Sequence, residues 1–184
     1  MDIHYFLAVP IPISLAQRLA DWLSSRHEEL PFKNKVVAED YHITLHFLGR
    51  AEDKSLSQVI AGIPKAKEGI SSFSLQATHF GYFGEKQSPR IFWVGTEHER
   101  ALHELQKATG YVCEQAGFQM ENRPYRPHIT IARRWQGEFS FVLPDFQQEL
   151  GDTDLSWKAD RFCLYRSHMD RMPKYEVVES FPFT

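Results

Sequence analysis

Apolar and polar residues follow two periods along this chain, and the switches between them mark its elements. Ile3–Val9 reads as a strand that runs into a turn at Pro10 and Pro12. Ser14 is placed as the N-cap of a helix in which Leu15, Leu19, Trp22 and Leu23 share a face. Residues 41–50, YHITLHFLGR, alternate with a period of two and end at Gly49. Leu56, Val59, Ile60 and Ile63 predict a short helix that stops before Pro64. Phe73–Phe80 and Arg90–Gly95 read as strands on either side of a turn-rich stretch around Gly84. A long helix from about Glu97 turns Leu102, Leu105, Val112 and Ala116 inward and stops at Gly117. The next clear strand is PHITIAR, residues 127–133.

The strand at 41–50 spends its alternation oddly. It puts His42, Thr44 and His46 on one side and Ile43, Leu45 and Phe47 on the other. The second strand repeats the pattern: His128-Ile129-Thr130-Ile131 matches His42-Ile43-Thr44-Leu45 as His, apolar, Thr, apolar. With 9 His and 7 Thr in 184 residues, random placement gives roughly 0.3 His-x-Thr matches, so two with both apolar positions kept are unusual. The spacing repeats too. FLAV begins at Phe6, 36 residues before His42, and FWVG begins at Phe92, 36 residues before His128. Two strand–helix–strand units in one register are what an internal duplication leaves, and they predict packing about a pseudo-two-fold axis with the motif strands face to face.

Residues i and i+2 of a strand sit roughly 6.6 Å apart on one face, so an imidazole and a hydroxyl there can converge on one tetrahedral anion. The Thr donates to a non-bridging oxygen. The His reaches an oxygen that gains or loses a proton. Two copies across a groove place an imidazole on each side of phosphorus, an arrangement suited to in-line displacement. Histidine suits either role because its unperturbed pKa is near 6.5. Arg133 and Arg126 can add fixed positive charge.

Composition narrows the partners. At 184 residues, 42% hydrophobic and 24% charged, the chain fits one soluble domain, or two small lobes sharing a core, with a substantial interior. A net charge of −3 lacks the basic footprint of a protein that tracks long nucleic acid, but does not exclude a nucleic-acid end or a nucleotide. The apolar run from Tyr5 to Ile13 is short and carries two prolines, so it predicts neither a secretion signal nor a membrane span. Cys113 and Cys163 lie far apart without metal-ligand spacing and read as reduced core thiols of a cytoplasmic protein.

The paired motifs, YHITLHFLG and YRPHITIAR, resemble those of the two-histidine phosphoesterase superfamily, and most closely its RNA 2′,3′-cyclic phosphodiesterases, once called 2′-5′ RNA ligases. The resemblance extends through YFLAVPIP, PRIFWVG and LYRSH over most of the chain. It implies a single bilobal α+β domain over 1–184, with one motif per lobe and antiparallel sheets bordering a central groove. It also implies that His42 is the proton donor and His128 the acceptor, that Thr44 and Thr130 hold the phosphate, and that Arg133 matches the arginine ending the second motif. No metal or cofactor and no obligate protein partner is expected, and the substrate is an RNA end or nucleotide bearing a cyclic phosphate. The family often has arginine where this chain has His46.

Plainer readings stand beside these. His46 reads better as a hydrogen-bonded, half-buried histidine than as a catalytic one, and a zinc site built on His42 and His46 lacks a third ligand. Arg90 can face substrate or form a surface salt bridge, and Arg126 can simply orient the strand entry. The aromatic residues of YFLAV and IFWVG, and Cys113, read as packing. Trp135 and the WQGEFSFVLPDF stretch read equally as a lid over the groove or a surface loop. The same machinery could act instead on small nucleotide cyclic phosphates or 2′-5′ linked oligonucleotides, or serve a non-catalytic module that binds RNA ends.

Overall fold

The computed structural model describes residues 3–151 and 153–184. Its strands are β1 (Tyr5–Pro10), β2 (Phe32–Lys35), β3 (His42–Gly49), β4 (Phe73–Glu85), β5 (Ser88–Thr96), β6 (His128–Trp135), β7 (Ser156–Ala159), β8 (Arg161–Ser167) and β9 (Tyr175–Pro182). The helices are α1 (Ile13–Ser25), α2 (Asp53–Ala66), α3 (Arg100–Gln115) and the short α4 (Phe146–Leu150). The strands run in the order β7-β4-β5-β6-β3-β1-β8-β9, with β2 also beside β6, and every pairing is antiparallel. The expected α+β class and antiparallel architecture are observed.

The two motif strands are neighbours at the centre of this order. They meet through one residue pair, Ile43 opposite Ile129, and both side chains are fully buried. Either side of that seam lie β3-β1-β8-β9 and β6-β5-β4-β7, the second half joined by β2 beside β6. The linking helices cross over. Trp22 of α1, which follows β1, stacks on Phe80 of β4 with centroids 4.6 Å apart. Gln106 of α3, which follows β5, accepts a hydrogen bond from His46 of β3. Helices α1 and α3 thus each touch the half opposite the strand they follow, while α2 packs on α3 and on β9.

Several boundaries differ from the sequence reading. Helix α1 starts at Ile13 with Pro12 as its cap residue and no side-chain bond, because the Pro12 carbonyl already accepts from Leu15 and Ala16; Ser14 lies inside the helix. Helix α2 continues through Pro64 to Ala66, since a proline in the last turn removes only one internal donor. Strands β4 and β5 are longer than predicted, and the turn lies at residues 86–87; Gly84, at φ 105, forms an irregularity inside β4. Helix α3 starts at Arg100, where the Glu99 carboxylate accepts from the Ala101 amide.

The strand register repeats between the two halves, shifted by one residue from the spacing read in the sequence. Leu7 pairs with His46 and Ala8 with Thr44, while Phe92 pairs with Ala132 and Trp93 with Thr130. Leu7, not Phe6, is thus the counterpart of Phe92. Both ladders carry a bulge at the same place, with Leu45 and Ile131 as the extra residues. A bulge reverses the alternation beyond it. His46 is consequently buried on the helix-covered side with Leu45, and Phe47 is exposed on the side of His42 and Thr44. In the second copy the same device buries Ala132 and brings Arg133 to the side of His128 and Thr130.

Candidate active site

Each motif histidine is held in the same way. The His42 Nδ1–H donates to the Asp40 carbonyl at 2.7 Å, and the His128 Nδ1–H donates to the Arg126 carbonyl at 2.7 Å. A carbonyl oxygen can only accept, so Nδ1 carries the hydrogen in both rings and Nε2 is left as the proton-exchanging atom. The Thr44 hydroxyl lies 3.1 Å from the His42 Nε2 and donates to it while the ring is neutral. Arg126 thus holds the strand entry through its backbone, the plainer of its two readings.

Aromatic rings wall both imidazoles. His42 packs against Phe6 at 4.9 Å between centroids and meets the edge of Tyr175 at 5.1 Å. His128 packs edge-on to Phe83 at 5.0 Å and beside Trp93 at 5.7 Å. Phe6 is buried as its packing role predicts, Trp93 is half-buried, and both rings also shield the histidines. Burial is the main cause that pushes the His42 pKa down, to about 4, with the charges of Arg133 and His128 adding to it and the Asp40 bond opposing. The His128 pKa is also lowered, chiefly by burial and then by Arg133, against the bond to Arg126. Both rings are neutral in the free protein near neutral pH. The Arg133 charge acts on both histidines and opposes the rise in the Tyr175 pKa, which places it near both motifs.

Two residues here escaped the sequence reading. Asp40 is buried, and its carboxylate accepts from the amides of Lys174 at 2.9 Å and Tyr175 at 3.1 Å. Its backbone and side chain therefore tie His42 to the start of β9. Only the Asp40-Tyr41-His42 adjacency hinted at this. Phe47, 59% exposed, stands where the second motif has Arg133 and meets His4 edge-on at 5.6 Å; the bulge that turns it there leaves no mark in the alternation.

The other candidates fall elsewhere. His46 Nε2 bonds the Gln106 carbonyl at 2.6 Å on the covered face, so it and His42 cannot share a metal. Among the described residues no three His, Cys, Asp or Glu side chains are grouped to hold an ion. Thr130 shares the site face with His128. Cys113 and Cys163 are buried free thiols, with burial pushing Cys113 up to about 12. Trp135 lies seven residues beyond His128 and packs on Phe32, Phe139 and Phe141, so its stretch is a loop folded on an aromatic cluster and not a lid. No helix among the described residues is long and apolar enough to cross a membrane.

Comparison with known proteins fits this geometry. A model of the 2′-5′ RNA ligase superfamily matches residues 12–171. The chain belongs to this family. An RNA 2′,3′-cyclic phosphodiesterase of Bacillus subtilis is 34% identical over 97% of this chain and 95% of its own length. One from Geobacillus stearothermophilus is 38% identical over 97% of this chain, which spans only 57% of that relative. The crystal structure of Escherichia coli LigT complexed with 3′-AMP superposes with a TM-score of 0.79 at 22% identity, covering 100% of this chain and 99% of LigT, which shows the fold. The family and the enzyme class expected from the paired motifs are both borne out.

Proposed function

We propose that this protein is an RNA 2′,3′-cyclic phosphodiesterase that opens the cyclic phosphate to a 2′-phosphomonoester with a His42/His128 acid–base pair and no metal. The observation that carries this reading is the matched pinning of the two imidazoles, each with Nδ1–H on a carbonyl and Nε2 left to exchange a proton, near a shared arginine. His128, neutral at rest, takes a proton from the attacking water. His42 must be protonated to deliver one to the departing 3′-oxygen. Burial and Arg133 oppose that charge in the free site; a bound phosphate supplies the compensating negative charge and engages Arg133, so the acid is loaded only with substrate in place. Protonation also turns Nε2 into a donor, releasing the Thr44 hydroxyl to a phosphate oxygen, with Thr130 its counterpart. Phe47 offers an exposed ring for stacking of the terminal base.

The test is a product-resolved assay on an oligonucleotide ending in a 2′,3′-cyclic phosphate, run beside the corresponding mononucleotide. The reading predicts faster turnover of the oligonucleotide and a product resistant to a phosphatase that removes only 3′-phosphates. A product with its phosphate on the 3′-oxygen would reverse the assignment of the leaving group. Binding of the RNA end without turnover would make the protein a binding module.

A further inference from the structure

The seam between the motif strands is short. Among the described residues, β3 pairs with β6 only at Ile43 and Ile129. In that register Leu45 would next face Pro127, which has no N–H to give, so the backbone ladder does not extend toward the start of β6. A side chain takes over there. The Tyr125 hydroxyl donates to the Thr44 carbonyl at 3.0 Å, joining residues 81 apart in sequence. Thr44 follows Ile43 and precedes the bulge residue Leu45, so the bond continues the seam one residue past its ladder pair.

Both ends of this bond adjoin the reacting groups. At one end, the Thr44 hydroxyl lies 3.1 Å from the His42 Nε2. At the other, Tyr125 leads into Arg126, whose carbonyl holds the His128 Nδ1–H at 2.7 Å. The Tyr125 ring is half-buried against the core and meets the His103 ring edge-on, with centroids 5.4 Å apart. His103 in turn donates through Nδ1 to the Glu99 carbonyl, so the start of α3 braces the ring. Burial pushes the Tyr125 pKa up, and the hydroxyl keeps its proton and remains a donor through the neutral range. The first motif is anchored differently. Glu39, three residues before His42 as Tyr125 is before His128, is exposed, and Asp40 ties that entry to β9 instead.

Resting on the proposed function, we infer that Tyr125 is a positioning residue for the reaction, whose hydroxyl fixes the first motif against the second and so aligns the His42 and His128 Nε2 atoms on one phosphorus. In-line displacement is exacting: a misplacement of about 1 Å costs on the order of 10²-fold in rate. A seam held at one residue pair lets the strands turn about Ile43 and Ile129, carrying the two imidazoles out of line. The Tyr125 bond adds a second point of attachment, and two points hold an angle that one cannot. Tyr125 exchanges no proton itself. It acts through the Thr44 backbone on one side and the Arg126 backbone on the other.

The experiment follows opening of a cyclic-phosphate-ended oligonucleotide by wild type, Tyr125→Phe, His42→Ala and the double variant, with urea unfolding establishing that each is folded. Tyr125→Phe keeps the ring and removes only the donor. It should lower kcat roughly tenfold and leave KM within about twofold, because the groups that bind the RNA end are unchanged. In the His42→Ala background no pair remains to be aligned, so the same change should cost no more than about twofold. His103→Leu, which keeps the hydroxyl and loosens its brace, should lower kcat alone by about threefold; it carries the test if Tyr125→Phe does not fold, and an unchanged kcat then overturns the inference. Tyr125→Phe with wild-type kcat overturns it too, as does a tenfold loss in both backgrounds, which would make the bond purely structural. Wild type inactive on the cyclic phosphate, or unaffected by His42→Ala, overturns the underlying reading instead.

Discussion

Removing the Asp40 carboxylate should loosen both the fold and the site. That side chain is 5% exposed and accepts two backbone N–H groups, from Lys174 at 2.9 Å and Tyr175 at 3.1 Å. In Asp40→Ala both donors lose their partner. Each buried donor left unsatisfied costs about 1–3 kcal/mol, so the loss is about 2–6 kcal/mol, nearer the lower end if water replaces the carboxylate. Asp40→Asn keeps one acceptor and should lose less. The backbone carbonyl that holds His42 survives both changes, so the imidazole keeps its tautomer. The loss in turnover instead comes through Tyr175, whose ring edge walls His42 and whose hydroxyl feels the Arg133 charge. Urea unfolding measures the first effect, and kcat against pH on a cyclic-phosphate-ended oligonucleotide measures the second. Freed of part of its wall, His42 should titrate closer to its ordinary value in Asp40→Ala, moving the pH profile upward. Stability within about 0.5 kcal/mol of wild type, the range of an ordinary surface substitution, would refute the role given to Asp40.

Phe47→Ala should raise KM for the oligonucleotide by roughly 5- to 150-fold with kcat little changed, since base–aromatic stacking contributes about 1–3 kcal/mol; an unchanged KM would remove Phe47 from the substrate surface. Prolonged treatment with a strong chelator should leave activity intact, whereas loss with rescue by zinc or manganese would move the chemistry to a metal ion. Acid should destabilise the protein through His42. Its folded pKa of about 4 lies below the unfolded value near 6.5, so the unfolded chain takes up a proton first and stability falls as pH drops between those values. His42→Gln should flatten that slope in urea titrations; an unaltered slope would assign it to other groups.

Much of the chemistry was legible because it is written in local patterns. The paired His-x-Thr motifs, the apolar faces of α1 and α3 and the stop at Gly117 all follow from residues close in sequence. What escaped depends on pairing between distant strands. The bulges at Leu45 and Ile131 are invisible to a period-two reading, and they alone decide that His46 is buried and that Phe47 and Arg133 face the site. They also explain why an arginine five residues after His128, an odd spacing that should point it away, can act on both histidines. Strand β9 has no clean alternation because most of its length is exposed, and β7 is only four residues long. Tyr175 and Asp40, 135 residues apart, become neighbours only when β9 docks beside β8.

The central claim is that His42 and His128 work as one acid–base unit. Single-turnover opening of a cyclic-phosphate-ended RNA by wild type, His42→Ala, His128→Ala and the double variant tests it most directly, with folding verified for each protein. Each single replacement should slow the chemical step on the order of 10²–10⁴-fold. The double variant should fall far short of the product of the two losses, because the histidines act on one transition state. A folded single variant that opens the phosphate at the wild-type rate would contradict the account.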